Sequence, residues 1–461
     1  MARNADVAIT GDRITFVGDA GRANITARRT IDARGLIVAP GFIDPHTHAL
    51  EDLSSNDPKR RANLDYLMQG VTTVITGNDG GGPYEVARTL EKWRTDGIGS
   101  NGALLVGYGS VRQAVMRMSD ARAVGAQLDS MRALVDKGMR EGALGMSTGL
   151  YYAPQSFSTI EEVIEMAKVA AKHGGIYDSH LRDESSYTIG LLAAVREALR
   201  IGKEAGMPVN ISHIKALGVD VWGRSDSAIA IVEAARAAGA KVTADQYPYT
   251  AGSTILSAVF RDGKLRGLVG DVLGSDVVVA SSAKHPEWEG RSLAALADEM
   301  KGTAEEAATR VLAEDPAVTV ILHVMREEDV RTVMRHPSTM IGSDGIPTLK
   351  GKPHPRLYGT FARVLGYYAR DEKLFSQAEA VHRMTGFSAR KFGLRDRGVV
   401  KAGAIADLVL FDPRRIIDRG TFEDPHRTPD GIEAVYVNGV KAVAGGKPTG
   451  ARAGRVLRRG T

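Results

Sequence analysis

The sequence predicts an α/β fold: a (β/α)8 TIM-like barrel, with a small β-sandwich domain built from both chain ends and an insertion between the last two barrel strands. Three observations predict it. Short apolar runs rich in β-branched residues alternate with amphipathic stretches through most of the chain. Strand-like segments with Gly-Asp and similar turns sit at both ends. Several of the internal runs stop at a histidine or an aspartate.

Residues 1–38 read as short strands, Val7-Ala8-Ile9, Ile14-Thr15-Phe16-Val17 and Thr30-Ile31-Asp32, and Asp407–Phe411 and Ala434–Gly439 read the same way within 398–461. The two ends are expected to pair as one small domain. Residues 37–44 then read as one buried strand ending at His46 and His48. The next candidate strands are Thr72–Thr76, Ala103–Tyr108, Leu144–Ser147, Ile176–Ser179, Val209–Ser212, Lys241–Asp245 and Thr339–Ser343. Helix-like stretches separate many of them. Thr159–Lys172 has Ser158 as N-cap, Glu161 and Glu162 in its first turn and Gly174 past its end. Tyr187–Glu204 and Asp226–Ala238 are similar. Together they give about eight β-α units, the number for a closed parallel barrel spanning 39–397. Residues 254–337 are too long for one connection, contain strands Val277–Ser281 and Val318–His323, and read as an insertion packed as a lid or subdomain.

With 461 residues the chain suits one large barrel or two to three domains. A net charge of +5, partly from Arg452, Arg455, Arg458 and Arg459 near the end, offers no basic face for nucleic acid. The absence of cysteine excludes disulfides, thiolate ligands and cysteine nucleophiles. No apolar run approaches the ~20 residues that span a bilayer, and the N-terminus lacks a signal-peptide core, so the cytoplasm is the default location. Oligomeric state is left open.

The chemistry concentrates at strand ends. In a strand, i and i+2 share a face, so His46 and His48 project together. His180, His213 and Asp344 end three further runs. Functional side chains of a parallel barrel gather at the strand C-terminal ends, so four histidines and a carboxylate there form a metal-centre inventory, for zinc or a similar ion. His173, His285, His336, His354, His382 and His426 lack such placement and read as surface or packing residues. His323 ends a strand inside the insertion and is left out.

These residues carry a resemblance. Gly41–His48, Gly70–Val74, Gly142–Leu150, His180–Glu184, Ile211–Lys215, Tyr247–Thr254, Ile341–Gly345, Tyr358–Phe361 and Gly403–Val409 resemble the amidohydrolase superfamily, and within it the N-acyl-D-amino-acid deacylases (D-aminoacylases). The similarity runs over nearly the whole chain. It implies metal-dependent hydrolysis of N-acyl-D-amino acids, with zinc as one or two ions, other divalent metals being possible. It implies that His180 and His213 hold the tighter metal and that His46, His48 and Asp344 form a weaker position. Lys215, Tyr247 and Ser253, with Tyr152 nearby, would hold the substrate carboxylate. Lys215 and His213 are expected on one strand face. Tyr247 reads equally as a core aromatic, and Arg356 as a partner of an anionic group or as an ordinary surface pair.

The chain departs from the family pattern. Asp79 stands in Gly77-Asn78-Asp79-Gly80 where the family has a cysteine, and reads as a carboxylate ligand or as a turn residue. Tyr108 stands where relatives more often carry histidine, which is expected to alter the acyl side of the pocket. The family's usual opening strand is missing before Ala5–Ile9, as if the start were truncated or the small sheet reduced, and the insertion lacks recognisable family parts. No lysine sits on the fourth strand for a carbamylated bridge. Asp344 is the expected proton carrier. The competing expectations are another amidohydrolase, a dipeptidase or cyclic amidase, and a barrel that has lost its chemistry.

Overall fold

Nine stretches of backbone, each short and buried, carry a parallel α/β architecture in the computed structural model, which describes residues 3–261, 263–265, 273–348 and 350–460. Six pair in one sheet, in the order Thr339–Ile341, Val242–Gln246, Val209–Ile211, Ile176–His180, Gly145–Gly149, Val106–Gly107. Three pair in another: Phe42–Thr47, Val71–Thr76 and Asn101–Leu104. All these pairings are parallel. Val71-Thr72-Thr73-Val74-Ile75-Thr76 is buried along its full length, as expected of a β-branched strand covered on both faces. Helices Ala126–Arg140, Ile160–Lys172, Leu191–Ala205 and Ser225–Ala237 follow successive strands and pack side by side over the sheet.

Residues 37–44 form two strands, not one. Ile37–Pro40 joins an antiparallel sheet with Leu408–Phe411, and Phe42–Thr47 joins the parallel one. The break falls at Gly41, where a Cβ would lie 2.2 Å from Thr72 Oγ1. Only glycine lets the chain pass this close to the neighbouring strand. The antiparallel sheet continues through Ile432–Val437, Val440–Ala444 and Lys447–Pro448, so both chain ends contribute to it. A separate hairpin, Asp6–Thr10 with Arg13–Gly18, buries Ile14 in one apolar cluster with Ala404, Leu408 and Tyr436. Thr30–Asp32 forms no strand.

Other boundaries moved. Ala103–Tyr108 is interrupted at Leu105, and Tyr108 begins the helix Tyr108–Met116. The cap of Ile160–Lys172 is Thr159, which accepts the N–H of Glu162, not Ser158. The expected helix from Tyr187 starts at Leu191. Within 254–337, of which residues 262 and 266–272 lie outside the described residues, Val277–Ser281 and Thr319–Leu322 pair antiparallel. Gly252–Ile255 adds the third strand and carries Ser253 to the cavity wall. Helix Glu327–Arg335 packs on Ser225–Ala237, beside the parallel sheet. No helix among the described residues is long and apolar enough to cross a membrane.

Candidate metal centre

The strand ends bring six donors together. His46 lies in Phe42–Thr47 and His48 follows it, with ring centroids 5.7 Å apart. His180 is the last residue of its strand. His213 and Lys215 lie beyond the end of Val209–Ile211, so the expected shared strand face is not what joins them. Asp344 lies three residues past Thr339–Ile341. His213, Asp344 and Asp79 all take positive φ (32°, 50° and 55°), a conformation uncommon outside glycine.

Asp79 is the hub. Its Oδ1 lies 3.4 Å from His46 Nε2, 3.6 Å from His180 Nδ1 and 3.6 Å from His213 Nε2, while Oδ2 lies 3.5 Å from His48 Nε2. Asp344 Oδ1 lies 3.0 Å from His48 Nε2 and 3.6 Å from His46 Nε2. The donors thus form two groups that share Asp79: His46, His48, Asp79, Asp344, and Asp79, His180, His213, each with ligand atoms within 4.8 Å of one another. The turn bearing Asp79 is fixed by Asn78 Nδ2, which donates to Pro45 O (3.1 Å) and Asp178 Oδ2 (3.0 Å), and by Gln155 Nε2 donating to Asp79 O (2.9 Å).

The cluster is buried but not hydrogen-bonded to satisfaction. His46 Nδ1 and Nε2, His180 Nδ1 and Asp79 Oδ1 have no hydrogen-bond partner among the described residues. Buried polar groups are nearly always paired. Burial alone would leave the imidazoles neutral. Against it, Asp79 and Asp344 raise His46 to about 9, and the His213 pKa also rises well above the ordinary value. Burial pushes Asp79 and Asp344 upward as well, but neighbouring histidines, and Arg356 for Asp344, hold both carboxyls below the usual range. His180 is lowered by burial. This set of imidazole and carboxylate donors, with His46 Nε2, His180 Nδ1 and Asp79 Oδ1 orphaned and facing one another, fits a divalent cation such as zinc.

A cavity of about 410 Å³ opens over the cluster, within the range of small-molecule sites. Tyr152, Lys215, Tyr247, Ser253 and Arg356 line it. Arg356 is 1% exposed, no surface pair; its Nη1 lies 2.8 Å from Asp344 Oδ2, so the anionic group it meets belongs to the protein. The Tyr247 ring lies under both cations, with the Arg356 guanidinium 4.6 Å and Lys215 Nζ 5.8 Å from its centroid. The Tyr152 hydroxyl shares a 3.1 Å hydrogen bond with Thr254 Oγ1. Tyr108 does not line the cavity. Its hydroxyl donates to Glu162, which also pairs with buried Arg112, so the expected effect on the acyl side is not seen.

Two functional candidates escaped the sequence reading. Glu184 lines the cavity and contacts both Lys215 Nζ (2.7 Å) and His213 Nδ1 (3.0 Å). Burial raises it, but Lys215, His213 and His180 outweigh burial and hold the carboxyl at about 2. The signal was present: an acidic Asp-Glu pair three and four residues after a strand-end histidine. His354, expected at the surface or in packing, is buried; its Nδ1 accepts the N–H of Arg356 (3.0 Å) and its Nε2 lies 3.0 Å from Ala251 O. It ties the Arg356 segment to the strand of Ser253.

Comparison with known proteins agrees with this geometry. The family model described as "Amidohydrolase family" matches residues 29–254 and 230–443. The D-aminoacylase of Alcaligenes xylosoxydans xylosoxydans is 40% identical, over 99% of this chain and 94% of its own. A structure of D-aminoacylase, from work on the functional role of its binuclear metal centre, superposes with a TM-score of 0.89 at 38% identity, covering 99% of this chain and 96% of the other. The N-acyl-D-glutamate deacylase of Bordetella bronchiseptica, complexed with zinc and a phosphonate mimic of the tetrahedral intermediate, gives 0.89 at 34%, covering 99% and 96%. The chain belongs to the amidohydrolase family, in its N-acyl-D-amino-acid deacylase (D-aminoacylase) branch.

Proposed function

We propose that this protein hydrolyses the amide bond of N-acyl-D-amino acids, releasing a carboxylate and a free D-amino acid, with zinc as its metal. The observation that carries the reading is the pair of donor groups sharing Asp79 at the floor of the cavity. His46, His48, Asp79, His180, His213 and Asp344 would hold one or two ions. When bound, zinc supplies a water of lowered pKa and Lewis-acid polarisation of the amide carbonyl.

The chain's own residues do the rest. Asp344 is kept ionised beside Arg356 and His48, so it can take the proton of the attacking water and return it to the leaving nitrogen. Lys215 has three N–H donors. One meets Glu184 and a second lies 3.1 Å from His213 O; Nζ also stands 2.7 Å from His213 Nδ1, and with that nitrogen protonated the third donor is left for the substrate carboxylate. Ser253, Tyr247 and Arg356 flank that position and Tyr152 stands beside His180, their ring centroids 4.9 Å apart. Selectivity for the D-isomer follows the relatives. The scaffold is read as a closed (β/α)8 barrel over 39–397 with 254–337 inserted and 1–38 and 398–461 as a small β-sandwich. Backbone hydrogen bonds from Leu105 N to Thr76 O (3.0 Å) and from His48 N to Gly345 O (2.9 Å) support joining the two parallel sheets at both seams.

The test is a panel of N-acetylated D- and L-amino acids, dipeptides and cyclic amides, with zinc quantified. Hydrolysis of D-substrates that is lost on chelation and regained with zinc is expected. Zinc-loaded protein that cleaves only L-substrates, dipeptides or cyclic amides would overturn it.

A further inference from the structure

We infer that Glu184 is a positioning residue that orients His213 for the metal while neutralising Lys215, so that metal retention and the substrate-carboxylate site depend on one buried carboxylate. The inference rests on the metal reading of the cluster. Glu184, His213 and Lys215 are 3%, 2% and 6% exposed, and their polar ends meet within 2.7–3.0 Å. His213 presents Nε2 toward Asp79 and Nδ1 toward Glu184. A ligating nitrogen carries no proton, so an Nε2 that binds metal requires the proton on Nδ1. Nδ1–H then needs an acceptor. Lys215 Nζ, 2.7 Å from the same nitrogen, has only donors, which leaves Glu184 Oε1. Carboxylates in this position fix the tautomer and the ring plane of metal-bound histidines.

The loop around Glu184 is built to hold it. Asp183 accepts the N–H groups of Ser185 (2.8 Å), Thr188 (2.7 Å) and Gly190 (2.9 Å), which closes the loop on itself. Glu184 O accepts the N–H of Leu217 at 2.9 Å, so the segment 213–217 is held at its backbone as well as at the His213 ring. The His213 N–H is held from the other side by Asp245 Oδ1 at 2.9 Å. Without the Glu184 charge, the Lys215 ammonium would face a divalent cation from beside its ligand, uncompensated. The carboxylate therefore acts twice on metal binding, through geometry and through charge.

Zinc affinity, measured by competition against a chromophoric chelator, separates these roles from simple packing. Glu184→Gln keeps the shape and removes the charge, and is expected to weaken zinc binding about 10- to 100-fold. The double variant Glu184→Gln/Lys215→Met removes the stranded ammonium as well and is expected to regain roughly tenfold, the coupling of groups in contact. Packing loss alone predicts the opposite, a double variant weaker than the single one. Thermal melting of the metal-free forms checks the fold; should Glu184→Gln fail to fold, Glu184→Asp, which shortens the reach, takes its place with the same expectation for the single change. A Glu184→Gln protein that binds zinc as tightly as the native chain, or a double variant no tighter than the single one, overturns the inference. A native chain that binds no zinc strikes instead at the metal reading itself.

Discussion

Two buried polar clusters, each centred on an aspartate, sit in different parts of the molecule and are treated in opposite ways. At the junction of the terminal sheet and the parallel strands, Asp407 pairs with Arg397, accepts Asn101 Nδ2 (3.1 Å) and accepts the N–H of Asn438 (2.7 Å), while Asn438 Nδ2 donates to Asn101 Oδ1 (2.7 Å). None of these four residues is among those with orphaned buried atoms. At the cavity floor, carboxylate and imidazole atoms stand 3.4–3.6 Å apart around Asp79, and three of them, His46 Nε2, His180 Nδ1 and Asp79 Oδ1, lack any hydrogen bond among the described residues. An unpaired buried polar group costs on the order of 1–3 kcal/mol. The junction avoids that cost, so its role is to lock two parts of the chain together. The floor retains it, which is tolerable where a bound cation recovers it. Satisfaction, more than burial or charge, separates the structural cluster from the functional one.

Substitutions should break the two clusters along different axes. At the floor, Asp344→Asn is expected to lower kcat by about 10²- to 10⁴-fold, the usual weight of a positioned acid–base group, with zinc still held by the Asp79, His180 and His213 group. Near-normal turnover in zinc-loaded Asp344→Asn would remove its role. At the junction, Asp407→Ala strands buried Arg397 and should cost about 3–5 kcal/mol in urea unfolding, yet leave zinc affinity alone. A drop in zinc affinity with stability intact would erase the contrast. A smaller effect belongs to the cavity wall: Lys215→Ala should raise KM for an N-acyl-D-amino acid about tenfold, worth ~1.4 kcal/mol, and far less for the matching uncharged amide. Equal changes for both substrates would dissociate Lys215 from the substrate carboxylate.

The donors at the floor were legible because each ends a run whose apolar, β-branched pattern is local. His46, His48, His180, His213 and Asp344 needed only strand parity and the habit of parallel strands to gather function at one end. What failed needed a neighbour. Gly41 looks like part of one continuous apolar strand, and only Thr72 on the adjacent strand shows why the chain changes sheets there. The shared face expected of His213 and Lys215 rests on alternation along a strand that in fact ends at Ile211, and positive φ at His213 is not written in an isolated His-Ile-Lys. Glu184 and His354 act on residues 31 and 103 positions away, beyond any spacing rule. Tyr108 drew notice by type, yet Arg112 and Glu162 claim it for the core. Thr159 rather than Ser158 caps its helix because two adjacent hydroxyls compete and geometry picks one.

The smallest expected effect tests whether a charge outside the donor cluster behaves as the junction does or as the floor does. Lys391 is half-buried, and its Nζ donates to Val209 O (2.5 Å) and Lys241 O (3.2 Å) beneath two of the parallel strands. Burial pushes it down from 10.5 to about 7, with Asp178 opposing. Both carbonyls accept hydrogen bonds from a neutral amine as well as from an ammonium, so the group is satisfied without its charge. Between pH ~7 and ~10.5 the unfolded chain therefore holds the extra proton, and stability from this group rises with pH across that window; below it both states are protonated and the full cost of the buried charge remains. Lys391→Met removes that cost together with two hydrogen bonds. The melting-temperature difference, variant minus native, should be most favourable to methionine near pH 6 and fall by a few degrees toward pH 10. A difference that stays flat with pH would mean that the ammonium remains charged throughout, held as firmly as Arg397 is at the junction.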